Sequence, residues 1–131
     1  MGHFKFIIYG APRTKKNSGQ IITTGSRPRL LPSDSWRVWC RAGIVQLRQL
    51  MSLHKIAPVD YPVNCKAIFY RERNVGDAAN YYNGLADLLE LSGLVENDKY
   101  IISWDNSRLK KDAIRPRVEF VLTAAEEESH E

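Results

Sequence analysis

The sequence lacks the patterns that would place it in a membrane or around a zinc ion. No apolar run in its 131 residues is long enough to span a bilayer, and the amino terminus has no signal-peptide pattern. Its two cysteines, Cys40 and Cys65, stand alone in apolar surroundings, without a CxxC pair or a Cys/His cluster. Zinc binding is therefore disfavoured. We expect a cytoplasmic protein whose cysteines are small core residues rather than catalytic thiols.

The chain also lacks internal repeats, low-complexity linkers and any break in composition between two halves. Its length predicts one domain, and 44% hydrophobic residues with 26% charged residues are typical of a globular protein. Period-2 and period-3.6 patterns predict the order strand, hairpin, helix, strand, helix, strand, strand. This order indicates an α/β fold (α+β-like) with a small mixed sheet and two main helices.

Acidic residues are few except at the carboxyl end, where EEESHE carries four glutamates and no basic residue. Without these four glutamates the net charge of +4 becomes +8. We therefore expect a folded domain over residues 1–124 that attracts a polyanion. Residues 125–131 are expected to form a disordered acidic tail.

Two acids bracket a predicted helix over residues 78–92. Asp77 stands at the start of this helix, and Asp98 stands in a turn before the next strand. Each acid alone is typical of a helix cap or a turn residue. The helix rises about 22 Å and the next six residues reach roughly 20 Å, so a straight return would bring Asp98 level with Asp77. Two carboxylates that meet in this way are a typical Mg²⁺ site.

Two basic segments accompany the acids. RTKKN contributes Arg13, Lys15 and Lys16, and RLKKDAIRPR contributes Lys110 and Lys111. Cations of this kind hold the phosphates of a nucleic acid, and a carboxylate-bound Mg²⁺ can activate water against a phosphodiester. The combination of acids and basic segments predicts a nuclease.

The motifs resemble those of the RusA family of Holliday junction resolvases. PRTKKNS is similar to the family's Pro-x-x-Lys-Lys-Asn loop, and the stretch that begins at position 77 is similar to its Asp-x-Asp-Asn-x-x-Lys motif. The motif's positions fall on Asp77, Ala79, Asn80 and Asn83, and the family's Gly near the helix end and its Asp-Asp-type turn before a strand fall on Gly93 and Asn97-Asp98. The resemblance covers nearly the whole chain apart from the acidic tail. It implies a homodimer that binds four-way DNA junctions and cuts them symmetrically with Mg²⁺, or with Mn²⁺ as the alternative ion.

Carried over residue by residue, the resemblance implies that Asp77 and Asp98 are catalytic metal ligands, and that Asn17 and Asn80 belong to the nucleic-acid contacts. The family's second acid falls at Ala79 and its lysine at Asn83, and neither residue can take over that role. Lys15 or Lys16 is the candidate to replace the lysine's charge, although phosphate positioning is the favoured role for both. Other acids could complete a site, although a solvated or capping role is favoured for each; they are Asp87, Glu90, Glu96 and Asp105.

Three functions remain open on the sequence alone. The first is a Mg²⁺-dependent endonuclease that resolves Holliday junctions in DNA recombination and repair. The second is a catalytically degenerate RusA-like protein that binds branched DNA without cutting it. The third is a structural or regulatory interaction protein whose basic face is incidental.

Overall fold

A computed structural model describes residues 4–15, 20–24, 27–31 and 34–125 of the chain, with side chains for 4–15 and 34–125. The helices are α1 (Asp34–His54) and α2 (Ala78–Ser92), and a short 3-10 helix covers Asp98–Tyr100. The strands are β1 (Lys5–Tyr9), β2 (Gln20–Thr24), β3 (Arg27–Leu31), β4 (Val63–Arg71), β5 (Ile101–Ser103), β6 (Arg108–Lys111) and β7 (Arg117–Ala124).

Five strands form one mixed sheet, which confirms the predicted α/β class. Its order is β1-β7-β4, and β5 and β6 share the free edge of β4, one beside each half of that strand. β7 is antiparallel to both β1 and β4, whereas β5 and β6 are parallel to β4. β2 and β3 form a separate antiparallel hairpin, as the pattern predicts.

The sheet buries one face against both helices. Alternate residues of β1, β4 and β7 are buried, as the period-2 pattern requires, and the apolar sides of α1 and α2 complete the same core. The largest fully buried side chains of this core include Phe69, Phe120, Ile8, Leu47, Leu85 and Leu88. The intervening residues of these strands therefore point to the opposite face, which neither helix covers.

Helix α2 has the bounds that the sequence predicts, from Ala78 to Ser92. Tyr81, Leu85, Leu88 and Leu89 recur at helical spacing and are buried. Gly93 ends the helix with φ of 85°, and its amide donates to the carbonyl of Glu90. Glycine adopts this left-handed conformation without the steric cost of a Cβ atom, so it is the natural residue at this position.

The edge beside β4 differs from the prediction in two ways. The segment KYIISW is expected to be a strand, but only Ile101–Ser103 is extended, because Asn97 caps the 3-10 helix by accepting from the amide of Lys99. β6 is expected to be part of a turn, but it pairs with β4 from Ile68 to Arg71. The residues of β6, RLKK, contain only one apolar side chain. This exposed edge strand therefore has no alternating apolar pattern from which it could be predicted.

Several predicted features fall on parts of the chain that the structure does not describe. Lys16, Asn17 and the acidic residues 126–131 lie outside the described ranges, and β7 ends at Ala124. Neither described helix is long and apolar enough to cross a membrane.

Candidate functional site

Asp77, the first of the two predicted metal ligands, lies at the start of α2. Asp77 is the N-cap residue, with extended backbone angles and an exposed side chain that makes no capping hydrogen bond. Its carbonyl accepts from the amides of Asn80 and Tyr81, at 3.1 and 3.2 Å. Ala79 and Asn83 are exposed on the same helix. The carboxylate of Asp77 therefore remains open to a ligand.

Asp98 lies at the other end of α2, so the structure does not bring the two predicted metal ligands together within one chain. The amide of Asp98 donates to the carboxylate of Glu90 at 2.8 Å. Glu90 follows Asp77 by thirteen residues, a rise of about 20 Å along the helix. After Gly93 the chain does not return along α2. It crosses to Val59, whose amide donates to the carbonyl of Leu94.

The other candidate acids do not complete a metal site beside Asp77. Asp87 pairs with Lys15, Glu90 accepts from the amide of Asp98, and Glu96 and Asp105 are exposed. Over the described ranges, no three His, Cys, Asp or Glu side chains gather in a metal-binding group. Because Mg²⁺ binds protein through one or two carboxylates together with waters and phosphates, Asp77 could supply one ligand, whereas Asp98 lies too far along α2 to share the same ion within one chain.

The loop after β1 pairs its cations with acids. Arg13 forms an ion pair with Glu72 at 2.8 Å, and Lys15 forms one with Asp87 at 2.9 Å. The Lys15 ammonium also lies 4.9 Å from the centre of the Trp36 ring. The loop therefore joins α2 to α1, and any phosphate contact by Arg13 or Lys15 competes with an existing ion pair.

A concentration of positive charge lies on the uncovered face of the sheet. Strand register places alternate residues of four strands there, in rows across the sheet. We name this the basic sheet face and define it by five cations and one acid: Lys5, Lys66, Arg108, Lys110, Arg117 and Glu119. Of the predicted nucleic-acid contacts, Lys110 belongs to this face. Lys111 follows it in β6 and, by the alternation of the strand, points to the helix side.

Arg117 is the fixed centre of the basic sheet face. Its Nε donates to Glu119 at 2.6 Å, one terminal nitrogen donates to Asp112 at 3.0 Å, and its guanidinium carbon lies 3.8 Å from the centre of the Tyr70 ring. The hydrogen bond to Glu119 is the main cause of a raised Arg117 pKa, despite an opposing effect of burial. This guanidinium is therefore a positioned, permanently charged group.

Glu119, the acid of the basic sheet face, is shared between two of its cations. Lys5 pairs with it at 2.8 Å on one side, and Arg117 pairs with it on the other. Partial burial would raise the pKa of Glu119, but the hydrogen bonds from Lys5 and Arg117 outweigh burial and lower the pKa below its ordinary value. The carboxylate is thus ionised and locally neutralised. Lys66, Arg108 and Lys110 are left exposed to attract a polyanion.

The sequence indicates only part of this face. Arg108, Lys110 and Arg117 lie in the basic segment RLKKDAIRPR, whereas Lys5 and Lys66 are distant from it in sequence and join it through strand pairing. The signal for Lys66 and Arg117 was present in the alternation of VNCKAIFY and RVEFVLT, whose polar positions must share the face opposite the core.

The two cysteines have the structural role that the sequence predicts. Both are buried and free of disulfide bonds. Burial raises the pKa of the Cys40 thiol to about 11 and raises the pKa of Cys65 still further. Since the thiolate is the reactive form, burial and the raised pKa values disfavour a nucleophilic role for both thiols.

No protein-family model and no curated protein sequence matches the chain significantly.

Proposed function

We propose that this chain binds DNA through the basic sheet face, and that branched DNA, above all a four-way junction, is its ligand. The observation that carries the proposal is the charge of this face. Five cations share it with one carboxylate, and Lys5 and Arg117 already neutralise that carboxylate. Cations presented on an exposed surface replace the counterions of a phosphate backbone, which is the main source of affinity for DNA.

The preference for branched DNA rests on the resemblance to RusA proteins. This resemblance is supported by PRTKKNS and by the motif from Asp77 to Asp98. It is also supported by helix α2, which begins at Ala78 and is capped by Gly93. A homodimer suits this ligand, because a two-fold protein matches the two-fold arrangement of arms in a junction. We place this activity in DNA recombination and repair in the cytoplasm.

Cleavage of the junction is a second candidate function, and the open carboxylate of Asp77 favours it. A residue that served only as a helix cap would be expected to hydrogen-bond the amides of the first turn, and Asp77 does not. Asp98 lies at the other end of α2, so we expect a further acid beside Asp77, such as one from a partner subunit, to complete a site for Mg²⁺ or Mn²⁺. DNA binding is therefore the part of the function that the basic sheet face supports directly, and cleavage depends on that further acid.

The binding proposal is tested by comparing a synthetic four-way junction with a linear duplex of equal length. We expect tighter binding to the junction, and a steep fall in affinity as salt rises. Equal binding to both DNAs would contradict the branched-DNA part of the proposal. Affinity that does not respond to salt, or no binding at all, would favour an interaction protein with an incidental basic face.

The cleavage candidate is tested on the same junction with Mg²⁺ or Mn²⁺. Asp77→Asn and Asp98→Asn remove the two acids, and Ala79→Asp restores the acid that the RusA motif carries. Binding without cleavage by the natural sequence, together with cleavage by Ala79→Asp, would identify a degenerate nuclease. Cleavage by the natural sequence that Asp77→Asn abolishes would establish the endonuclease.

A further inference from the structure

A cleft lies at one end of the basic sheet face, between β1, β7 and the loop that joins β6 to β7. Its volume is about 410 Å³, within the range of small-molecule sites. The residues that line it are Ile7, Tyr9, Asp112, Ile114, Arg115, Arg117 and Glu119. Apolar and aromatic side chains therefore line the cleft together with the ion pairs of Arg117.

Tyr9 gives the cleft an exposed aromatic ring on a rigid support. The residue is 54% exposed and lies directly opposite Arg117 in the strand register. The amide side chain of Gln46 holds its backbone on the outer edge of the sheet: it accepts from the Tyr9 amide at 2.8 Å and donates to the Tyr9 carbonyl at 3.0 Å. The strand that carries the ring is thus fixed before any ligand arrives.

The loop across the cleft is also fixed, and it presents an unusual apolar side chain. The carboxylate of Asp112 accepts from the amides of Ile114 and Arg115, at 3.1 and 3.0 Å, and binds Arg117 as well. These hydrogen bonds, first that from the Arg115 amide, hold the pKa of Asp112 below its ordinary value. Ile114 is 95% exposed at the rim, although burying an isoleucine is favourable.

We infer that this cleft receives one unpaired base of a bound DNA strand, with the base stacked on Tyr9 and packed against Ile114. The inference rests on the proposed function, and it names the part of branched DNA that the cleft takes, which is a base that has left its pair at the branch point. A base suits the cleft better than a phosphate does, because its flat apolar faces match Tyr9 and Ile114, and because Arg117 is already paired with Asp112 and Glu119 rather than free for an anion. Arg115 is exposed at the rim, where it can hold the adjacent phosphate.

The binding assay uses a short single-stranded oligodeoxythymidylate and the full chain. Tyr9→Leu should weaken its binding about 5- to 150-fold, because stacking on an aromatic ring contributes that much per base. Tyr9→Phe keeps the ring and should bind like the natural sequence. Tyr61→Leu is the matched control, since Tyr61 is also exposed and lies outside the cleft. Thermal unfolding of each variant verifies that it is folded.

The outcomes separate this inference from the proposed function. If the chain binds four-way junctions and Tyr9→Leu binds the single strand as tightly as Tyr61→Leu does, the inference is overturned and the proposed function stands. If single-strand binding depends on Tyr9 but junctions are not preferred over duplexes, the inference stands and the preference for branched DNA fails. If no nucleic acid is bound, both fail.

Two further arms test other occupants of the cleft. An oligouridylate of equal length tests RNA, and binding tighter than to the DNA strand would overturn the assignment to DNA. Analytical ultracentrifugation tests a second copy of the chain. A dimer that Tyr9→Leu dissociates would show that another subunit covers the cleft, which would overturn the inference.

Discussion

The guanidinium of Arg117 stacks on the ring of Tyr70, with its central carbon 3.8 Å from the ring centre, while it hydrogen-bonds Glu119 and Asp112. The two residues face each other across β4 and β7. This contact fixes a charged, planar group on the uncovered side of the sheet. The same guanidinium pairs with Glu119 and Asp112, two acids that would otherwise oppose the positive charge of this face.

Glu119 should make folding stability depend on pH. Its pKa is lowered in the folded protein, so its stabilising effect is present above its unfolded pKa of about 4.5 and is lost as the pH falls through the lower folded value. The difference in free energy of unfolding between the natural sequence and Glu119→Gln should therefore shrink from pH 6 toward pH 3. Urea denaturation across this range measures it. A difference that grows on acidification would contradict the ion-pair arrangement.

Asp77 should contribute little to folding. Because its side chain makes no capping hydrogen bond, Asp77→Ala should lower the free energy of unfolding by about 0.5 kcal/mol or less, the size of an exposed charge at a helix end. Asn97→Ala is the matched comparison, since Asn97 does cap its helix and its loss should cost about 1 kcal/mol. Urea denaturation of both variants checks this. A larger loss for Asp77→Ala would identify Asp77 as a structural cap.

Cys40 and Cys65 should resist modification in the folded protein. Both are buried with raised pKa values, so an aromatic disulfide reagent at pH 8 should find almost no reactive thiol before unfolding and two after it. Absorbance of the released thiolate measures both numbers. A thiol that reacts rapidly in the folded chain would contradict the core assignment and would indicate a reactive residue.

The fold was more predictable from the sequence than the site was. Helix α2 follows from an apolar period and a terminal glycine, which are local features, and its predicted bounds are confirmed. The position of Asp98 depends on the pairing of Val59 with the segment after Gly93, a contact between distant parts of the chain. No local sequence pattern predicts this crossing to Val59. The sequence therefore could not exclude a chain that returns along α2 and brings Asp98 beside Asp77.

The composition of the basic sheet face was hard to predict for the same reason. Lys66 and Arg108 come together only because β6 lies parallel to β4, and β6 leaves no periodic apolar signal. Arg13 and Lys15, which are close in sequence, instead form ion pairs with acids in the folded chain. Which cations share a surface therefore depends on the strand register and not only on how close they are in sequence.

The most direct test of the account is the salt dependence of four-way junction binding by the double variant Lys66→Gln, Arg108→Gln. The control is Arg41→Gln, Lys55→Gln, which removes the same charge from exposed positions on α1 and just after it. If the basic sheet face holds the phosphates, the first variant should bind more weakly, and the slope of log affinity against log salt should fall by about 2, whereas the control keeps the natural slope. Equal slopes for both variants would contradict the account.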